Sequence, residues 1–202
     1  MLDASLRRLI DPPLNSAGVR LGRLGMPATA VTLAGFAVGV ASFPFLAAQM
    51  YGWALLCIGL NRLADGLDGA IARARGPTDL GGYLDITLDF LFYAGVPVAF
   101  AFGRPEFALH AAVLVFSFVG TMASFLAFAI IAAKRGITTA ERGAKAIYYL
   151  GGLAEGTETI IFLALACLLP DLFGWLAGVF AAMCWITTGS RIAQAVLTFR
   201  DE

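Results

Sequence analysis

Histidine occurs once in this chain of 202 residues, cysteine three times, and charged side chains make up only 14%. Cys57, Cys167 and Cys184 fall in separate apolar runs without CxxC or CxxH spacing, which argues against a disulfide framework or a zinc site. No ligand set for haem, flavin or an iron–sulfur cluster is present. Fourteen basic residues balance fourteen acidic ones, so no global field recruits nucleic acid. The low charge also argues against a soluble domain, in which about 25% of residues are charged. No uninterrupted apolar core follows Met1, so the start does not read as a signal peptide.

What the chain has in excess is apolar surface. Hydrophobic residues make up 59% of it and the mean hydropathy is +0.81, more than one soluble core of this length can hide. The apolar stretches are 27–48, 49–72, 82–103, 107–133, 146–169 and 174–198, each near the roughly 20 residues that a helix needs to cross a bilayer. The expected fold is an all-α integral membrane protein of six transmembrane helices. Five spans with a re-entrant segment is the alternative, because Pro44 interrupts the first stretch. Residues 1–26 read as an interfacial amphipathic arm, two short pieces broken at Pro12 and Pro13, and residues 27–202 as the transmembrane domain. A disordered basic tail is the plain alternative for the arm.

Basic residues set the orientation. Arg7, Arg8, Arg20 and Arg23 lie in the arm, Arg73 and Arg75 after the second span, and Lys134, Arg135, Arg142 and Lys145 after the fourth. The opposite connections, near Gln49, Arg104 and Asp171, carry a single arginine. This positive-inside bias puts both termini on the cytoplasmic side of the inner membrane and favours an even number of spans.

Carboxylates stand where lipid should forbid them. Asp65 and Asp68 share one helical face near the cytoplasmic end of the second span, and Asp85 and Asp89 share another at the start of the third. A turn at Gly76-Pro77 brings the pairs together. Four ionised carboxylates in a low dielectric repel one another, so they must take up protons, pair with Arg62, Arg73 and Arg75, or bind divalent cations. An oxygen-only donor set favours Mg²⁺ or Mn²⁺, and paired ions about 3.5–4 Å apart suit phosphoryl-type substitution. Gly66, Gly69, Ala72, Gly81 and Gly82 thin the same region and leave room for a ligand. A cation transporter would instead spread polar groups along a path across the membrane, whereas these aspartates gather at one end.

The string Asp65-x-x-Asp68-Gly69-x-x-Ala72-Arg73, seven residues, then Gly81-x-x-x-Asp85-x-x-x-Asp89 resembles the signature of the CDP-alcohol phosphatidyltransferases, with every fixed position filled. The resemblance implies transfer of a phosphatidyl or phosphoalcohol group from a CDP-linked donor to a hydroxyl, with release of CMP. It implies that Asp65, Asp68 and Asp85 hold two Mg²⁺ or Mn²⁺ ions, that Asp89 is both close to the metals and the general base, and that Asp65, Gly69, Ala72, Arg73 and Gly81 form the nucleotide site. CDP-diacylglycerol is the expected donor and a small polar alcohol the acceptor, with transfer from a soluble CDP-alcohol to diacylglycerol as the alternative. Phosphatidylglycerophosphate synthases usually follow the third aspartate with proline and the fourth with lysine. Asp85-Ile86 and Asp89-Phe90 depart from that pattern.

Lys134, Arg135, Arg142 and Lys145 are candidates for acceptor or head-group contacts, or serve topology alone. Glu155 and Glu158, one turn apart on the fifth span, could pair with Arg191 and lock spans five and six, with Thr157, Thr187, Thr188 and Ser190 completing the network. An acceptor pocket is the other reading of that group. The resemblance also implies a homodimer, for which Phe90, Phe92 and Tyr93 offer an aromatic face, unless that face meets lipid. His110 belongs at the opposite rim.

Overall fold

A computed structural model describes residues 3–137 and 152–200, with side chains from Pro12 onward. All regular structure among them is helical: α1 (Asp3–Arg23), α2 (Ala28–Val40), α3 (Ser42–Ala47), α4 (Tyr51–Arg75), α5 (Asp79–Gly103), α6 (Ala108–Lys134), α7 (Gly156–Leu168) and α8 (Phe173–Phe199), with 3₁₀ turns at Pro105–Phe107 and Pro170–Leu172. Four segments are long and apolar enough to cross a membrane: Ala28–Ala47, Asp79–Gly103, Pro105–Lys134 and Pro170–Phe199. The remaining long helix, α4, has the length but carries Arg62, Asp65, Asp68, Arg73 and Arg75. Described as helix only over 13 residues, α7 is about 20 Å long at the usual rise. The stretch 146–151 of the expected fifth span lies outside the described residues.

Two features differ from the sequence reading. The arm is one helix that runs through Pro12 and Pro13, not two pieces, and it lies along α4. Packing against α4 organises it despite two missing amide donors. The first span is broken between α2 and α3 at Ala41, because Pro44 has no N–H to donate to the turn before it.

The core lies along the bundle axis and is rich in phenylalanine. Phe100 stacks on Phe173 with centroids 4.0 Å apart, and Phe162 stacks on Phe180 at 4.9 Å. Outward positions such as Leu109, Phe116, Trp175 and Leu197 stay exposed, as expected where the surrounding solvent is lipid. Phe92 is fully buried, stacked beside Phe43, and Tyr93 turns its hydroxyl to Arg62. The aromatic face imagined for a second copy therefore retains only Phe90, because the other two rings complete the interior.

At one end the three charge-poor connections meet. Arg104 bonds Glu106 at 2.5 Å and Asp171 at 3.0 Å, and the Gln49 side chain donates to the Gly103 carbonyl at 2.8 Å. His110 sits edge-on to Phe107 at this end.

Candidate active site

The site is built where α4 ends and α5 begins. Gly76 adopts a left-handed φ of +98°, a conformation open to glycine, and so lets the chain turn into Pro77-Thr78. The Thr78 hydroxyl caps α5 by accepting the Gly81 amide at 3.1 Å, which satisfies one of the free donors of the first turn. Helix α2 seats against α4 through glycine: a Cβ at Gly35 would stand 2.6 Å from the Ala64 Cβ. Asn61 fastens the same contact by donating to the Gly35 carbonyl at 2.9 Å.

This frame brings three aspartates together. One carboxylate oxygen from each of Asp65, Asp68 and Asp85 lies within 4.8 Å of the others. Asp68 is only 5% exposed, and its buried Oδ2 has no hydrogen-bond partner among the described residues. A charged oxygen held there without a donor is costly. An orphaned, buried carboxylate oxygen in an oxygen-only cluster fits a hard divalent cation.

Asp89 lines the same small hollow as the other three, together with Thr32, Gly35, Phe36, Asn61 and Leu88. Its carboxylate is taken by Arg62 instead, with Nη2 2.6 Å from Oδ1 and Nη1 3.3 Å from Oδ2. Of the three arginines considered as partners for the carboxylates, Arg62 is the one that reaches them.

Beside the aspartates opens a cavity of about 420 Å³ lined by Gly69, Ala72, Gly81, Asp68 and Asp85, and by Thr29, Thr32, Arg75 and Thr78. Gly69, Ala72 and Gly81 therefore lie together beside the aspartates. Arg73 does not line this cavity. It hydrogen-bonds Asn15 of α1 at 3.0 Å and lies over Gly69, where a Cβ would meet its Nη1 at 3.3 Å. Arg75 faces the cavity while donating to the Met26 carbonyl at 2.9 Å. Thr29 and Thr32 were not singled out from the sequence because α2 carries no charge to mark it, and Arg75 was considered at the site only as a partner for the carboxylates.

The other candidates lie elsewhere. Neither Lys134 nor Arg135 lines these hollows, and Arg135 instead covers the Phe199 ring at 5.1 Å. Arg142 and Lys145 are outside the described residues. Glu155 precedes α7 in extended conformation and Glu158 lies in its first turn, so the two glutamates do not form a helical pair. Arg191 donates to the Thr121 carbonyl at 3.0 Å and covers Phe125, tying α8 to α6, and Glu155 is among the charges acting on it. Thr187 accepts the Ala154 amide at 3.0 Å, while its own hydroxyl and that of Thr188 donate back along α8.

Comparison with known proteins bears on the motif and the fold together. The family model for CDP-alcohol phosphatidyltransferase matches residues 26–190. The chain belongs to that family. As a CDP-alcohol phosphatidyltransferase it is a transferase of phospholipid biosynthesis and a multi-pass membrane protein. It is 51% identical over all 202 residues, and over 98% of the relative, to Inner membrane protein YnjF of Escherichia coli. An archaetidylinositol phosphate synthase of Pyrococcus horikoshii is 29% identical over 95% of both chains. The fold matches a crystal structure of Mycobacterium tuberculosis phosphatidylinositol phosphate synthase with CDP-DAG bound, at TM-score 0.65 and 22% identity, covering 91% of this chain and 93% of that one. A second structure of that synthase, in complex with manganese and citrate, matches at TM-score 0.63 and 22% identity over 89% and 87%.

Proposed function

We propose that this phosphatidyltransferase moves the phosphatidyl group of CDP-diacylglycerol to the hydroxyl of a small polar alcohol and releases CMP. The observation that carries the reading is the buried, unbonded Asp68 oxygen in a three-carboxylate cluster at the wall of the 420 Å³ cavity. The CDP-DAG in the mycobacterial synthase supports the donor, and the manganese in its second structure supports a divalent cation.

Asp65, Asp68, Asp85 and Asp89 would hold a pair of Mg²⁺ or Mn²⁺ ions, which when bound neutralise diphosphate oxygens and stabilise charge at the attacked phosphorus. The cavity takes the cytidine nucleotide, where Gly69, Ala72 and Gly81 leave room and the hydroxyls of Thr29, Thr32 and Thr78 offer hydrogen bonds. Arg75 meets phosphate at its edge. Asp89 accepts the proton of the acceptor hydroxyl as its oxygen bonds to phosphorus and the CMP oxygen departs.

Six spans, with α4 and α7 added to the four apolar segments, would place both termini and the aspartates on the cytoplasmic side of the inner membrane. The bulk of residues 27–202 forms the catalytic domain, with residues 1–26 as an arm at the interface. A homodimer would use the outer face of α5, where Phe90 lines an apolar groove with Ile86, Leu91 and Met122.

The test is CMP release by the purified protein in nanodiscs with Mg²⁺ or Mn²⁺ and CDP-diacylglycerol. Inositol phosphate, inositol, glycerol 3-phosphate, serine and choline are supplied separately. Acceptor-dependent CMP release supports the reading and names the alcohol. Release only from CDP-choline or CDP-ethanolamine with diacylglycerol would reverse the donor. Silence on all of these, without metal or nucleotide binding, overturns it.

A further inference from the structure

The signature motif does not include Arg62, yet this residue is the most heavily engaged charge in the site. Its side chain is only 9% exposed. Nη2 reaches Asp89 Oδ1 at 2.6 Å and Nη1 reaches the Tyr93 hydroxyl at 2.5 Å. Nε donates to Asn61 Oδ1 at 2.8 Å, and Asp65 Oδ2 lies 3.6 Å from Nη1. The rings of Phe92 and Tyr93 cover the guanidinium at 5.1 and 4.9 Å. Asn61 is itself pinned to Gly35 of α2. All three nitrogens of the guanidinium donate and both rings cover it, so the positive charge is fixed in place.

Asp89, in turn, stands apart from the three oxygens that lie within 4.8 Å of one another, although it lines the same hollow. The separation follows from its two oxygens facing the arginine. With four carboxylates ionised, Arg62 leaves the hollow at about −3, which one divalent cation lowers to about −1. A second cation would have to approach a fixed positive charge, and could gain Asp89 as a ligand only by displacing it from Arg62.

We infer that Arg62 is a positioning residue that holds Asp89 in competition with the second cation. The first cation then enters the cluster of Asp65, Asp68 and Asp85, and a second binds only in competition with the Arg62–Asp89 pair. This deepens the proposed function, since it rests on the three-aspartate cluster holding a divalent cation.

The experiment is a titration of the purified full-length chain with Mn²⁺ alone, reading free ion by electron paramagnetic resonance. Wild type should bind in two steps separated by at least about tenfold in Kd. Arg62→Met should tighten the second step by about tenfold or more, and Asp89→Asn should remove that step while leaving the first within about threefold. The double variant decides between competition and mere charge. If Arg62 acts through Asp89, adding Arg62→Met to Asp89→Asn changes little. A general charge effect would instead tighten binding by the same factor in both backgrounds, and would overturn the inference. So would loss of the first step in Asp89→Asn. Arg62→Lys keeps the charge without the two-pronged grip and should still tighten the second step by about threefold. It serves as the readout if Arg62→Met does not fold. If Asp68→Asn binds Mn²⁺ like wild type, the cation reading of the cluster falls, separately from the role of Arg62, and the inference falls with it.

Discussion

Gly18 of the N-terminal helix rests directly on Ala70 of α4: a Cβ at Gly18 would stand 2.6 Å from the Ala70 Cβ and 2.7 Å from its carbonyl carbon. The arm therefore touches the motif helix between Asp68 and Arg73, one turn from the cluster. Substituting Gly18→Val should force the helices apart at about 1–3 kcal/mol, the usual range for overpacking. The expected outcome is a lower melting midpoint together with weaker nucleotide binding. An unchanged Kd for CDP in a destabilised variant would mean that the arm supports the fold and not the cavity.

The cluster predicts a strict requirement for a divalent ion. Chelation by EDTA should abolish CMP release, and Mg²⁺ or Mn²⁺ should restore it, whereas Zn²⁺ should serve poorly with an oxygen-only donor set. Asp68→Asn should lower kcat/KM by at least about a hundredfold, because the ion contributes several kcal/mol at the transition state. Activity that survives chelation would contradict this.

Asp89→Asn keeps the shape of the side chain and removes the base. Turnover at saturating donor and acceptor should fall by about 10²–10⁴-fold, with the donor KM within about threefold of wild type. A rise in donor KM at unchanged kcat would assign Asp89 to donor binding instead.

The two arginines at the end of α4 should differ. Arg75→Met removes a guanidinium from the cavity wall and should raise the donor KM about tenfold. Arg73→Met breaks the tie to Asn15 and should mainly lower thermal stability. The reverse pattern in steady-state kinetics and melting curves would return the nucleotide contact to Arg73.

Topology can be read by thiol labelling in intact cells, in a variant with Cys57, Cys167 and Cys184 replaced by serine. New cysteines at Gln49, Arg104 and Asp171 should react with an impermeant reagent from outside. Cysteines at Asp79 and Lys134, both exposed, should react only after the membrane is opened. Labelling at position 79 from outside would invert the proposed orientation.

Much of the site was legible because burying charge in lipid is expensive. Asp65, Asp68, Asp85 and Asp89 stand out in an apolar chain, and their spacing of three and four residues assigns them to helical faces without any tertiary knowledge. The glycines of the motif were legible only through their spacing from those aspartates, because small residues also pack membrane helices, as Gly66 does where a Cβ would meet Leu14 at 2.7 Å. Phe92 and Tyr93 were not, because an aromatic on a membrane helix looks the same whether it meets lipid, a second copy or the core. The arm was only half legible: its amphipathic character is in the sequence, but Pro12-Pro13 reads as a break unless α4 is there to hold the helix.

The sequence by itself determined the helical class, the apolar segments, the family and the four carboxylates, since these depend on composition and on contacts within a few residues. Only the tertiary structure decided how those carboxylates divide. Three converge with an orphaned Asp68 oxygen, while Asp89 is drawn to Arg62, 27 positions away in the chain. That division depends on α2 seating on α4 through Gly35 and Asn61, and on Phe92 and Tyr93 closing over the guanidinium. Such long-range packing leaves no period or spacing in the sequence, because the partners of Arg62 are chosen by how the helices meet.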